Sequence, residues 1–475
     1  MNKHHVPSLR GASSKNRSRL LPWLLCLGLP MACLADERLR APNAGVDYPG
    51  GVPGLGGLNL LAPFQYIPPA PSAESPSVDL PALKPDEQRI ADLYAAGNYQ
   101  AAGTAGLALM AQGDADEGLR LMMANSLAWT GRLVDAAPVY RGLASGRYAD
   151  AANLGLANVQ RWRGLDHEAA PLYRSVLARD PNNADAVAGL QLTARELSPR
   201  TAVSLGGSSD SSDEQRRFAT INHRWRDASG TRIFEVETSK VRDELPGIEA
   251  SQQDVSLRYQ DLNTAFKPRF ELSVPTQNHT LFGSVGLSHE PYNTSVQLGR
   301  VNWGRAAVNP NALAAGLTAV HLGVSTWHDF AVGRLSGRLN HFRISDDNTL
   351  LTSGLNLDTA WRPLGKAFKP YLGMETRETK FYAPSYWSPE QGSGTAYAGL
   401  RGEWSDTDWT VYTSAQLSGR LFGDAGNGWS VSAGGKRWIA TDVAVSLSLW
   451  AMSSQRNNSA YRARSASVNL EKLWP

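Results

Sequence analysis

Beyond Pro199 apolar and polar side chains alternate along the chain to its C-terminus, and no other feature restricts the fold as much. In Trp409 to Leu421 one face takes Val411, Thr413, Ala415, Leu417, Gly419 and Leu421. The other takes Thr410, Tyr412, Ser414, Gln416, Ser418 and Arg420. Gly394 to Trp404 opposes Ala396, Ala398, Leu400 and Trp404 to Tyr397, Arg401 and Glu403. Val443 to Ala451 sets Val443, Val445, Leu447 and Leu449 against Ser446 and Ser448. Successive side chains of a strand point to opposite faces, so a period of two predicts strands lying between two unlike environments.

About sixteen such segments fit into residues 199–475, an even number as bacterial outer-membrane barrels require. Their connections alternate in length. Asp243 to Gln253, Arg305 to Gly316, Tyr382 to Gly394 and Ser453 to Tyr461 read as long loops. Asp227 to Gly230, His289 to Asn293, Ser405 to Asp408 and Ala440 to Asp442 read as short turns. Long extracellular loops opposite short periplasmic turns are the barrel pattern. Trp225, Trp327, Trp361, Trp404, Trp409 and Trp438 all fall beside connections on the short-turn side, as a girdle of interfacial indoles would. In the last segment Ala466, Val468, Leu470 and Trp474 alternate like a barrel insertion signal, with Lys472 interrupting the apolar face and Pro475 following the terminal aromatic. A soluble sheet also alternates, but it needs large aliphatics packed on one face. Here that face is often Ala, Gly or Thr, and the opposite face is too polar to pack.

Upstream the pattern differs. Leu20 to Leu34 is apolar, follows Arg17 and Arg19, and ends in Cys33-Leu34-Ala35 before Asp36 and Glu37, which predicts a secretory signal peptide over 1–35. Lipoprotein processing at Cys33 is the alternative, and Pro30-Met31-Ala32 suits it poorly. The two cysteines, Cys26 and Cys33, lie inside this leader, so cleavage near Ala35 leaves neither disulfides nor thiolate chemistry. Residues 36–84 are rich in Pro and Gly and predict a linker. The formal net charge of +3 is near balance and gives no nucleic-acid reading.

Residues 85–198 carry an Ala- and Leu-rich helical pattern with an internal repeat. Gly131, Ala136, Ala137, Pro138 and Tyr140 recur as Gly164, Ala169, Ala170, Pro171 and Tyr173, offset by 33, and a weaker copy begins at Gly97. Pro181 closes the last clear unit. The pattern resembles the tetratricopeptide repeat, in which small residues let paired helices approach and the tyrosines fill the space between them. The resemblance implies a short all-α solenoid with a protein-binding concave face; a plain spacer is the alternative. The fold class expected is therefore multidomain: a tetratricopeptide-like helical array in the periplasm, followed by an antiparallel transmembrane β-barrel of about sixteen strands in the outer membrane.

Nothing in the sequence recommends catalysis. The nine histidines are scattered, and Trp327-His328-Asp329 is half a triad on paper only, because neighbours on a strand face opposite ways. No Gly-Xaa-Ser-Xaa-Gly elbow or phosphate loop occurs. No catalytic residue, metal ligand or cofactor is expected. Tyr397, Arg401, Glu403, Tyr412, Gln416 and Arg420 are expected to face a wet lumen. Mixed charges with Tyr and Gln suit a neutral or zwitterionic polyhydroxylated solute; they would also serve simply to keep any lumen hydrated.

Leader, helical repeats and barrel in that order resemble the exopolysaccharide export porins, among them the poly-N-acetylglucosamine porin and the outer-membrane subunit of cellulose synthase. The segment Phe381 to Glu390, with Tyr382, Tyr386, Trp387, Ser388 and Pro389, is similar to an aromatic-Ser-Pro stretch of the latter, and the topology puts it on a long extracellular loop. The resemblance implies a passive polysaccharide channel that supports biofilm matrix export. Its partners would be outer-membrane lipid, the barrel-assembly machinery, and periplasmic or inner-membrane synthase proteins docked by the repeats. This chain has about three or four repeats, fewer than those exporters usually carry. The alternative is a structural or phage-receptor barrel without polymer export.

Overall fold

The computed structural model describes residues 83–475, apart from 112, 114, 278–279, 308, 331, 362, 365–367 and 457–458. The expected leader and nearly all of the expected linker lie outside the described residues.

Seven helices come first: α1 (Pro85–Ala95), α2 (Tyr99–Met110), α3 (Glu117–Trp129), α4 (Leu133–Leu143), α5 (Ala149–Trp162), α6 (Asp166–Arg179) and α7 (Ala184–Leu197). Each packs principally on its neighbours in sequence. Asn98, Asp116 and Asn183 start α2, α3 and α7 by accepting hydrogen bonds from the amides of Ala101, Gly118 and Ala186. Turns between helices need a left-handed residue, which glycine supplies at no steric cost. Gly97, Gly131 and Gly164 take φ of 73°, 82° and 87° at equivalent places.

The repeat extends to individual contacts. The Tyr140 hydroxyl donates to Asn125 Oδ1 at 2.7 Å, and the Tyr173 hydroxyl donates to Asn158 Oδ1 at 2.7 Å. Each ring covers a glycine of the following helix. A Cβ on Gly155 would stand 2.4 Å from Tyr140, and one on Gly189 would stand 2.3 Å from Tyr173. Ala136 and Ala169, four residues before each tyrosine, are fully buried in the same clusters. Pro181 follows the end of α6.

The strands are β1 (Arg200–Asp210), β2 (Gln215–Arg226), β3 (Arg232–Leu245), β4 (Ile248–Asp261), β5 (Arg269–Pro275) and β6 (Phe282–His289). Then come β7 (Thr294–Asn302), β8 (Thr318–Phe330), β9 (Gly333–Ile344), β10 (Thr349–Thr359) and β11 (Phe368–Thr379). The last are β12 (Ser393–Ser405), β13 (Trp409–Gly423), β14 (Gly428–Trp438), β15 (Val443–Arg456) and β16 (Ser459–Leu473). All sixteen pair antiparallel in chain order, and β1 closes on β16 from Arg200↔Leu473 to Asp210↔Ala463. Closure leaves no edge strand, the condition on which a sheet can sit in hydrocarbon. The even number returns β16 to the rim that carries the helices, here called the near rim.

The exterior is apolar. Leu205, Leu257, Leu322, Leu417, Leu447 and Leu470 point outward, and Leu417 is 71% exposed. A continuous belt of this kind is a lipid-facing surface, not a water-facing one. Among the described residues no helix is long and apolar enough to cross a membrane; the strands are the crossing elements. On the near side Trp225, Phe234, Tyr259 and Phe270 form an outward row across β2 to β5, with successive ring centroids 5.6, 5.3 and 6.1 Å apart.

Two expectations of the sequence reading need correction. Asp243 to Gln253 is not a long loop: β3 and β4 run on to a tight turn at Pro246-Gly247, where Gly247 has φ 83°. These strand ends are polar on both faces because they extend beyond the apolar belt, so they read as loop. Ser453 to Tyr461 is likewise mostly strand. Second, Trp327 and Trp438 share the inward parity of their strands and do not belong to the outer girdle. Their indoles are instead covered by Arg334 and Arg195, with guanidinium-to-ring distances of 3.6 and 4.3 Å.

Candidate functional site

The inner wall of the barrel is divided. From β2 to β4 and from β8 to β12 it carries charges, and they are answered across the strands. Arg216 forks onto Asp243 with two hydrogen bonds of 2.6 Å, both side chains being essentially fully buried. Arg258 gathers Glu235, Glu237 and Glu271. Arg401 donates to Asp358 at 2.8 Å, and its guanidinium lies 4.1 Å from the Tyr371 ring centre. Paired in this way, these charges brace the wall.

From β13 round to β1 the wall is different. Its inward positions include Ser414 and Ser418, Ser430 and Ser432, Ser446 and Ser448, Ser465 and Ser467, with Asn469, Ser204 and a Lys436–Glu471 ion pair at 2.9 Å toward the near rim. Ser414 and Ser432 hydrogen-bond at 2.8 Å, as do Ser204 and Asn469. Small side chains leave space. A cavity of about 710 Å³ opens beside Ser208, Arg216, Ser414, Ser432, Trp450 and Ser465. The sequence signal for this wall is a pair of serines two residues apart on each of β14, β15 and β16, with Ser414 and Ser418 flanking Gln416 on β13.

All six residues expected at the lumen have inward parity, but they are not equally available. Tyr397 is 5% exposed, and its hydroxyl donates to the Leu355 carbonyl at 3.2 Å, over Gly373. Gln416 is buried and accepts from the Tyr371 hydroxyl at 3.1 Å. Arg401 is held by Asp358. These three are engaged in the wall itself. Tyr412 is half-buried, lying over Gly434 with its hydroxyl 2.8 Å from that of Ser448. Glu403 stands toward the near rim, and Arg420 is exposed near the far one.

Both mouths are narrowed. At the far mouth the β7–β8 connection forms two short helices, α8 (Trp303–Ala306) and α9 (Pro310–Ala314), and α9 packs against β3 and β4. Arg305 pairs with Asp254 on β4, while the Arg305 carbonyl accepts from Arg216 on β2 at 3.3 Å. Trp303 is fully buried against Phe342 and Tyr386. The aromatic-Ser-Pro segment thus folds inward. Tyr386 donates to Asp346 at 2.8 Å, and Ser388 is buried with its hydroxyl donating to the Ala383 carbonyl at 3.0 Å. Thr379 donates to the Pro389 carbonyl at 2.8 Å, and the Trp387 carbonyl accepts from Arg377 at 2.6 Å. Of the residues singled out in that loop, Tyr382 alone is exposed. Burial, together with hydrogen bonding to Asp346, pushes the Tyr386 phenol above its ordinary pKa.

At the near mouth the helices lie on the rim, and the edge they use is the one bearing the repeat's turns. Gln100 donates to the Phe330 carbonyl at 3.1 Å, and the Gly131 carbonyl accepts from Arg334 at 3.1 Å. Arg163 forks onto Glu290 at 2.7 and 2.9 Å, with Lys267 at 2.7 Å. Asp166 faces Arg226 at 3.6 Å, and His167 packs on Gly230. Arg195 reaches Asp408 at 3.0 Å and also the Thr407 carbonyl. These contacts fall on turns distributed around the ring, so the helical layer crosses the opening. Burial alone would raise the Glu290 carboxyl, but the hydrogen bond from Arg163 and the nearby Lys267 charge hold it at about 2. His167 is pushed below its ordinary value, first by burial.

The chain folds as a sixteen-stranded transmembrane barrel with helices across one mouth. No family model and no curated protein matches the sequence. Among solved structures, a bacterial polysaccharide outer membrane secretin is similar at 9% identity with a TM-score of 0.47, over 59% of this chain and 99% of its own. The outer membrane protein OpdK from Pseudomonas aeruginosa is similar at 8% identity with a TM-score of 0.33, over 58% of this chain and 98% of its own. A Rh. blastica porin is similar at 10% identity with a TM-score of 0.30, over 58% of this chain and 99% of its own.

Proposed function

We propose that this protein is an outer-membrane channel that passes a polyhydroxylated polymer, an exopolysaccharide of the cellulose or poly-N-acetylglucosamine kind, out of the cell. The observation that carries the reading is the serine-lined wall beside the 710 Å³ cavity. Hydroxyls and amides exchange hydrogen bonds with sugar hydroxyls one for one, so a sliding chain meets no deep well. The charges opposite are committed to one another across the strands, as in Arg216–Asp243 and Arg401–Asp358. Tyr412, half-buried over Gly434, is an aromatic face along this wall.

In this reading the helices form a tetratricopeptide-like periplasmic module. One edge docks on the barrel, and the other surface remains for periplasmic or inner-membrane synthase proteins. Synthesis drives movement, since a barrel carries no energy source. The barrel-assembly machinery would insert the chain, and lipid surrounds it.

A second reading rests on the two narrowed mouths: a structural or receptor barrel that stays shut. Deleting the gene and quantifying secreted polysaccharide separates the two. Export predicts loss of secreted polymer with retention in the periplasm. Unchanged secretion overturns the proposal and leaves the closed barrel.

A further inference from the structure

The outer surface carries a charge cluster that the passage does not use. Arg462 and Arg464 on β16, Arg217 on β2, and Lys240 and Arg242 on β3 are exposed with outward parity, at the far end of the strands. They stand just beyond the apolar belt, where Leu205, Ile221 and Val468 are 59%, 51% and 50% exposed. Arg217 lies directly across from Arg242 in the β2–β3 register. Like charges directly opposite one another in a sheet are destabilising. Arg242 is answered by Glu244 at 2.7 Å and Glu249 at 2.8 Å. Among the described residues no carboxylate forms an ion pair with Arg217, Lys240, Arg462 or Arg464.

Strand β1, which separates the arginines, presents almost nothing between them. Gly207 is the register partner of both Arg217 and Ala466, and Ser209 is the partner of Arg464. The Arg464 Nε donates to the Ser209 hydroxyl at 3.1 Å, which turns its guanidinium over β1. Arg217 and Arg464 therefore flank a bare floor two strand spacings wide, about 10 Å. Two guanidiniums at that separation can converge on one tetrahedral anion, and their planar forks match phosphate oxygens.

We propose that this face binds the phosphate headgroup of an anionic lipid in the leaflet on the far side of the membrane. The acyl chains would lie along the apolar belt below, over Leu205 and Val468, and the phosphate would sit over Gly207 between Arg217 and Arg464. Continuity of the cluster with the belt is what selects a lipid over a free anion: a small ion would use the guanidiniums alone. The site rests on the reading of the barrel as membrane-embedded and is independent of what the lumen passes.

The test is a titration of the full-length protein in detergent, followed by native mass spectrometry. The probes are diphosphorylated lipid A, the same lipid dephosphorylated, and inorganic phosphate. The variant R217Q/R462Q/R464Q is expected to lose affinity for the phosphorylated lipid by on the order of tenfold or more. Arg300→Gln with Arg343→Gln, outward cations elsewhere on the barrel, should leave it unchanged. Equal binding of the dephosphorylated lipid, displacement by equimolar inorganic phosphate, or an unaffected triple variant each overturns the site. Heat-dependent gel mobility reports whether each variant is a closed barrel. Should the triple variant fail to close, R464Q and the salt dependence of the wild type decide: affinity falling with salt supports the site, and salt-independent binding refutes it. A closed, detergent-dependent barrel that shows no phosphate preference refutes the lipid site and leaves the channel reading standing.

Discussion

The guanidinium of Arg195, at the end of α7, lies 4.3 Å from the ring centre of Trp438 on the inner rim of the barrel. Lys436 approaches the same indole at 4.6 Å, and Arg195 also reaches Asp408 at 3.0 Å. One side chain thus ties the helical layer to two strand ends at once. It does so where the chain itself passes from α7 into β1, where Arg200 pairs with Glu196 at 3.0 Å. The helices are held as part of the barrel and not as a free arm.

Arg195→Ala removes a cation–π contact worth about 2 kcal/mol when desolvated. It also removes hydrogen bonds to a charged donor worth about 1.5–3 kcal/mol. Amide exchange over α7 should accelerate by roughly 10–100-fold, on the scale of about 1.4 kcal/mol per tenfold. Exchange in β12 to β14 should not change. Hydrogen-exchange mass spectrometry in detergent reads both; α7 exchanging at its former rate would show that the docking lies elsewhere.

Docking should also depend on pH, in two windows. The His167 pKa is lowered in the docked state, so its contribution is complete above its ordinary value of 6.5 and is lost as pH falls through the lowered one. The Glu290 carboxyl is held at about 2, below its ordinary 4.5, so the Arg163–Glu290–Lys267 contact is complete above 4.5 and is lost as pH falls toward 2. Protease sensitivity of the helices should therefore rise first below pH 6.5 and again below 4.5. His167→Gln should abolish the first rise while leaving the second. A single rise, unaffected by that substitution, refutes the assignment.

Parity made much of the barrel legible, because a residue's face follows from counting along the strand. What each side chain meets does not follow from counting. Arg401 is inward by parity, yet Asp358 and Tyr371 claim it. Trp327 and Trp438 lie at the right height for a girdle, but one residue of phase turns them inward beneath arginines. The β3–β4 hairpin was hidden because its ends leave the lipid and lose apolar contrast. Tyr386 reads as an exposed aromatic because burial within a loop depends on a partner, Trp303, that lies 83 residues away.

Removing one member of a buried ion pair strands the other. Arg216→Met should lower barrel stability by about 3–5 kcal/mol, because Asp243 is then left charged without its partner. Pairing the change with Asp243→Leu should restore most of that loss, since a well-packed apolar pair is often neutral by comparison. Urea unfolding of the full chain, followed by gel mobility, measures both. If the double variant is as unstable as the single, the pair does more than balance charge.

Trp303 pins the far-mouth loop, and truncating a buried tryptophan costs about 3–5 kcal/mol. Trp303→Ala should free α8 and α9 from Phe342 and Tyr386 and raise single-channel conductance in planar bilayers. Tyr386→Phe, which removes only the hydroxyl shared with Asp346 and Asn348, should have a smaller effect in the same direction. Conductance equal to wild type in both would mean the constriction lies at the near mouth.

Two neighbouring positions on β14 give the most direct test of the passage. Ser432 faces the cavity, and Ala433, next to it, faces lipid. Ser432→Trp places an indole in the space beside Ser414 and Ser465, so polymer release and conductance should both fall sharply. Ala433→Trp adds the same indole to the apolar belt, where its burial in hydrocarbon is favourable, and should change neither. Both variants should show the heat-dependent mobility of a closed barrel. If Ser432→Trp secretes polymer at the wild-type rate, the chain travels along some other wall, because an indole added there takes up room that a threaded sugar would need.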